Sequence, residues 1–280
     1  ISKLMTAMVS LDATPNLEEP LSIGDEDVDT LKGTHSRLKV GTRLSREEML
    51  RLALMSSENR AASALSRFYP GGRPAFVAAM NRKAQALGLS DTHFEDPTGL
   101  TSANVSSARD LVKMVAAAHQ YPLIREFTTT AEYEVMLGNR PQTFRNTNPL
   151  VRARDNDWEI GLSKTGFISE AGKCLVMQAW LNNKPTIIVL LDSWGKLTRI
   201  GDANRIKRWI ESANLALKPT AGSDGWGCLV SGLQRAAPES AATCRFPPRR
   251  WRVRQPAVSP ATPPSRSARS GTCGSSPAGR

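Results

Sequence analysis

Lys164-Thr165-Gly166 follows Ser57-Glu58-Asn59, and both follow Ile1-Ser2-Lys3 at the head of the chain. Taken singly, Lys-Thr-Gly is a tripeptide that arises by chance, and Ser-Glu-Asn is an ordinary helix cap. Their order, their spacing and the element each would occupy carry the reading. Around the first, an apolar helix-periodic run is already under way, with Leu4, Met5, Met8, Val9 and Leu11, and it predicts a helix to about Ala13. Around the second, Ser45 and Glu48 form a capping box ahead of Met49, Leu50, Leu52, Ala53 and Leu54. That helix is expected to stop near Ser56 and another to begin near Arg60, which leaves Ser57-Glu58-Asn59 at a helix–helix junction. Around the third the apolar period has switched toward two, so Lys164-Thr165-Gly166 belongs to a strand or its exit.

Between these anchors, a polar acidic loop is expected over Asn16 to Asp29 and an extended piece around Leu38-Lys39-Val40. A helix over Pro74 to Leu87 should close on Gly88, and Phe94 to Leu100 should be a loop. Ser107 and Asp110 suggest a second capping box, before a helix through Ala118. Strands are expected at Glu132–Leu137, Trp158–Ser163, Cys174–Leu181 and Thr186–Asp192, with Asn182-Asn183-Lys184-Pro185 turning between the last two. Arg199 to Asn214 should be a closing helix. Strands gathered after a helical middle indicate an α+β arrangement with an antiparallel sheet.

The chain of 280 residues has a 40% apolar fraction, enough for a core, and a net charge of +11. From Ala221 onward there are nine Arg, no Lys and two acids, giving 9 − 2 = +7, so the preceding 220 residues carry 11 − 7 = +4. That tail also holds Cys228, Cys244 and Cys273 at spacings that match no metal template. Residues 218–280 can be read as disordered, as an out-of-frame translation of GC-rich DNA, or as a nucleic-acid patch around Arg249-Arg250-Trp251-Arg252. Cys174, in an apolar run, reads as a buried thiol. No apolar stretch approaches the ~20 residues of a spanning helix. His35, His93 and His119 stand apart from other ligating residues, and Asp91, Glu95 and Asp96 read as a solvated loop cluster. No metal or cofactor is expected.

A Ser and a Lys three apart on one helix share a face, and a desolvated Lys amine can take the hydroxyl proton. Lys3 fits that base, paired with a serine one position ahead of Ile1. Ser2 does not, because neighbours i and i+1 on a helix point in different directions. Ser57 would bond both lysines and relay a proton to a leaving amine. Asn59 would hold a substrate carbonyl and fix Lys3. On a strand Lys164 and Gly166 share one face: Gly166 lets a substrate lie close, and Lys164 offers a positive charge. The N–H of Phe167 is a candidate oxyanion donor.

Ser-x-x-Lys, Ser-x-Asn and Lys-Thr-Gly in that order are the signature of penicillin-interacting serine acyl-transferases. With Ile1-Ser2-Lys3-Leu4-Met5-Thr6-Ala7-Met8, Leu52 to Ala62, Tyr69-Pro70-Gly71-Gly72, Pro97-Thr98-Gly99-Leu100, Phe144-Arg145-Asn146-Thr147-Asn148 and Lys164-Thr165-Gly166-Phe167, the chain resembles the D-alanyl-D-alanine carboxypeptidase family of low-molecular-weight penicillin-binding proteins. It is most similar to the D-alanyl-D-alanine endopeptidase (penicillin-binding protein 7 type) branch. The resemblance implies a β-lactamase/transpeptidase-like fold, its antiparallel sheet flanked by helices. It also implies a periplasmic setting, β-lactam sensitivity, and cleavage of peptidoglycan stem peptides and cross-links beside D-alanine. No nucleic-acid partner is implied. It assigns Lys3, Ser57, Asn59, Lys164 and Thr165 to the site and places the catalytic domain at residues 1–217. The chain is expected to be N-terminally truncated just after its nucleophile, inactive as it stands, with Ile187 to Leu191 at a bare sheet edge. A class A β-lactamase is disfavoured because no Glu-x-x-Leu-Asn string occurs. A carboxypeptidase sibling and a non-catalytic peptidoglycan or penicillin binder remain as alternatives.

Overall fold

The computed structural model describes residues 1–153, 157–195 and 197–216; the tail readings, over residues 218–280, lie outside the described residues. Helix α1 (Lys3–Asp12) is buried along nearly its whole length, from Lys3 to Ser10. A helix apolar on every side belongs inside a domain, and Leu4, Met5 and Met8 sit fully buried at the centre of the main core.

The polar segment that follows is not featureless. Strand β1 (Pro20–Ser22) pairs antiparallel with β2 (Arg43–Ser45), and a 3-10 turn covers Asp25–Asp27. The expected extended piece at Leu38 is no strand: Leu38 is buried, and the pairing begins five residues later. Helix α2 (Arg46–Met55) starts on the expected reciprocal cap, with Glu48 N–H donating to Ser45 Oγ at 3.1 Å and Ser45 N–H to Glu48 Oε2 at 2.9 Å. Helix α3 (Asn59–Arg67) begins four residues after α2 ends at Met55, and α4 (Gly72–Ala86) follows.

Helix α5 (Ala108–Ala118) is capped by Ser107, whose Oγ accepts from Asp110 N–H at 3.2 Å. The other half of the predicted box is absent, because the Asp110 carboxylate accepts from Asp91 N–H and Thr92 Oγ1 instead. Further elements were not expected. Helix α6 (Pro122–Thr129) is short, starts on Pro, and ends in Thr residues whose β-branching argues for a strand. In the hairpin of β3 (Glu132–Leu137) and β4 (Arg140–Arg145), β4 carries Pro141 and buries only Phe144, so it lacks strand periodicity.

After the single turn α7 (Pro149–Arg152), β5 (Glu159–Ile168), β6 (Gly172–Leu181) and β7 (Lys184–Ser193) form an antiparallel sheet in that order, and α8 (Thr198–Ala216) covers one face. Asn182 and Asn183 both adopt positive φ (50° and 59°), the geometry of a two-residue hairpin turn. In β6 alternation sorts the side chains. Val176 joins the main core, whereas Leu175, Met177 and Leu181 pack with Ile188 and Ala203 beneath α8. Among the described strands β7 pairs with β6 alone, as the apolar-edge expectation had it. No described helix is long and apolar enough to cross a membrane.

Candidate active site

Three elements far apart in sequence converge on one cleft of about 530 Å³, lined by Lys3 from α1, Ser57 and Asn59 from the α2–α3 junction, and Thr165, Gly166 and Phe167 from β5. Lys3 is almost wholly buried, and its Nζ donates to Asn59 Oδ1 at 2.6 Å and to the Thr98 carbonyl at 2.7 Å. Burial brings its pKa down to about 8, against the pull of Asp96 and Glu58. Asn59 thus fixes Lys3 as expected. Its Nδ2 is used as well, donating to Thr34 Oγ1 at 3.0 Å.

The Thr98 carbonyl is aimed by Asp96, whose carboxylate accepts from the N–H groups of Thr98, Gly99 and Thr101 and from Thr98 Oγ1. Asp96 is therefore not the solvated loop residue the sequence suggested; it builds the turn that supports Lys3. Gly99 stands at φ +80°, and a Cβ there would lie 2.9 Å from Ser2 Oγ, so only glycine allows this loop to close on α1. Ser2 faces that loop, its Oγ accepting from Asn104 Nδ2 at 3.2 Å, which agrees with its rejection as nucleophile.

Ser57 is half-buried at φ +61°, an unfavourable backbone for a residue with a Cβ that costs about 1–2 kcal/mol. Such strain is characteristic of residues held for function. The expected bonds from Ser57 to both lysines are not formed in this structure.

Lys164 is 1% exposed, and its Nζ donates to the Thr165 carbonyl at 3.2 Å. Burial pushes its ammonium well below the ordinary lysine range, and Lys3 and Arg199 push the same way. Thr165 Oγ1 bonds Thr147 Oγ1 at 2.6 Å. Gly166 has a structural reason beyond substrate approach: a Cβ would stand 3.2 Å from the Ile1 nitrogen, so β5 and the start of α1 are in close contact. Phe167 is exposed at the cleft edge.

Two contributors were missed in the sequence as site residues. Thr147, whose N–H donates to the Met55 carbonyl at 3.0 Å, ties the end of α2 to β5. Its neighbours Asn146 and Asn148 are buried and bond Thr128 O, Thr130 O and Ser163 Oγ, locking the loop. The Asn-Thr-Asn run among apolar segments was the available signal. Arg199, from the first turn of α8, lines the cleft and donates to the Gly166 and Cys174 carbonyls at 3.1 and 3.0 Å. As expected, Cys174 is buried. His93 pairs on the surface with Glu95, and His119 packs against Trp180. No group of His, Cys, Asp or Glu among the described residues could hold a metal.

The profile of the D-alanyl-D-alanine carboxypeptidase family matches residues 1–195. The chain is 51% identical to a D-alanyl-D-alanine endopeptidase of Escherichia coli K12, over 86% of this chain and 76% of that protein. It is 48% identical to a D-alanyl-D-alanine endopeptidase of Pseudomonas aeruginosa, over 79% and 71%. The share aligned with the first reaches past residue 217, further than the sequence reading placed the resemblance. Among solved structures, the Streptomyces K15 DD-transpeptidase superposes with a TM-score of 0.69 at 29% identity, covering 75% of this chain and 86% of that one. A D-alanyl-D-alanine carboxypeptidase of Mycobacterium tuberculosis gives 0.66 at 26% identity, covering 80% and 84%.

Proposed function

Because the chain belongs to the D-alanyl-D-alanine carboxypeptidase family of serine hydrolases, we propose that it is a penicillin-sensitive D,D-endopeptidase that opens peptidoglycan cross-links at D-alanine through an acyl-enzyme. The observation that carries the reading is Lys3: a buried amine with a pKa near 8, held by Asn59 and Thr98 in the same cleft as Ser57 and Thr165.

In this reading the nucleophilic serine stands three residues before Lys3, the spacing at which two residues of one helix share a face. Its hydroxyl oxygen attacks the D-alanyl carbonyl carbon while its proton passes to the neutral Lys3 amine. The resulting oxyanion is held by the serine's own N–H and that of Phe167. As the C–N bond breaks, Ser57 hands a proton from the lysine pair to the departing amine. Water then hydrolyses the ester, returning the acid and the free serine. Lys164 would meet the substrate's carboxylate beside Thr165: a carboxylate there offsets the cost of a buried ammonium and draws a proton onto Lys164.

The catalytic domain is proposed to span residues 1–217 and to act in the periplasm on stem peptides and cross-links, with β-lactams as competing acylating agents and nucleic acid no partner. The test offers the enzyme, serine in place, a cross-linked muropeptide dimer and a monomeric pentapeptide, with products followed by chromatography and mass. Conversion of dimer to monomers supports the endopeptidase reading. Release of free D-alanine from the pentapeptide with the dimer untouched would replace it with a carboxypeptidase. Absence of both reactions would leave only a binder.

A further inference from the structure

Five cationic side chains line the 530 Å³ cleft, namely Lys3, Arg37, Arg145, Arg152 and Arg199, and no Asp or Glu lines it. The chain as a whole has 37 Lys and Arg against 26 Asp and Glu, so so one-sided a lining is not the background composition. The five fall into two groups. Lys3 and Arg199 are occupied by the Asn59 amide and by backbone carbonyls at the floor. The other three are exposed and stand at the mouth.

Arg37 is oriented there: its guanidinium lies 3.9 Å from the centre of the Phe144 ring, Nη1 donates to the Thr143 carbonyl at 2.9 Å, and Nε is 3.8 Å from Glu58. Arg145 has only a loose contact, 3.6 Å from Glu132, in which both partners are more than half exposed. Arg152 closes α7 and has no hydrogen bond or ion pair among the described residues. A guanidinium offers five N–H donors in a fixed fork that matches a carboxylate. At this mouth most of those donors are unspent.

We propose that Arg37, Arg145 and Arg152 form an anion subsite that selects substrates carrying a carboxylate other than the one received at Lys164 and Thr165. The preferred substrate is then an acidic, branched peptide that places one carboxylate at the cleaved end and another at the mouth. This rests on the peptidase reading above and adds to it a rule for choosing among peptides with the same scissile bond. Exposed charge pairs are individually weak, so two or three of them together should give about a 3- to 10-fold preference, one that fades as salt screens the rim.

The experiment measures, by titration calorimetry on the full chain, the binding of a cross-linked muropeptide dimer and of the same dimer with its carboxylates away from the scissile end amidated. The dimer with free carboxylates should bind about 3- to 10-fold tighter, and Arg152→Gln and Arg37→Gln should each shrink that gap. Arg82→Gln, an exposed change on α4 outside the cleft lining, controls for the loss of one positive charge and should leave the gap intact. Equal affinity for the two dimers, or equal effects of Arg152→Gln and Arg82→Gln, would overturn the subsite and leave the peptidase reading standing. Failure of both dimers to bind would sink the peptidase reading and the subsite with it.

Discussion

The floor and the mouth of the cleft are both cationic, but they are built from different residues for different work. At the floor Lys3 is buried, as is Lys164 on β5, which adjoins the cleft-lining Thr165 without itself lining the cleft; desolvation lowers both amines, Lys3 to about 8. At the mouth, Arg37, Arg145 and Arg152 lie in solvent. A lysine amine shifts readily when buried and can exchange protons near neutral pH; a guanidinium stays charged and presents a planar fork. On these grounds the chemistry is proposed for the floor and the selection for the mouth. Exchanging the two sets would leave a buried arginine unable to accept a proton and a surface lysine with no reason to release one.

If the floor does the chemistry, the largest losses lie there. Lys3→Met should lower penicillin acylation by on the order of 10³–10⁴-fold, since it removes the base that takes the serine proton. Timed intact-mass spectrometry reads the rate, and a parental rate would break the division between floor and mouth. Lys164→Ala and Ser57→Ala should each cost on the order of 10²–10⁴-fold, the usual scale for an acid–base or electrostatic group. Unaltered thermal melts alongside slow acylation would place both effects in the cleft.

The pH dependence sharpens the contrast. Lys3 accepts a proton only when neutral, and its pKa is about 8 instead of the ordinary 10.5. Acylation should therefore climb about tenfold per pH unit below pH 8 and level off above it. A profile still climbing at pH 9.5 would mean that burial does not tune Lys3. The mildest change is Ser2→Ala, which removes only the contact to Asn104 and should alter acylation by less than about 2-fold. A large loss would put Ser2, not the residue ahead of Ile1, at the centre of the reaction.

The sequence carried the floor and not the mouth. Lys3, Ser57, Asn59 and Lys164 stand in short motifs whose spacing places them on a helix, a junction and a strand, and the cap at Ser45 fixed where that junction falls. Arg37 and Arg152 belong to no periodic pattern. Their position at the mouth depends on β4 and α7, elements whose proline, polarity and shortness hide them from propensity. The role of Asp96 is hidden for a related reason. A carboxylate beside two other acids looks solvated until the backbone turns back on it, and the four donors it satisfies all lie within five residues of it in Thr98, Gly99 and Thr101. Thr147 acts across two long-range contacts, to Met55 and to Thr165, that no local window contains.

The floor of the cleft is proposed as an acylation site, with Lys3 as its base and the residue three positions before it as its nucleophile. Peptide mapping after a brief penicillin pulse on the enzyme with that residue in place tests it most directly. A single penicilloyl adduct is expected on a serine immediately ahead of Ile1, lost when Lys3 is replaced by Met. An adduct on Ser2 or Ser57, or one that forms as fast without Lys3 as with it, would overturn both assignments.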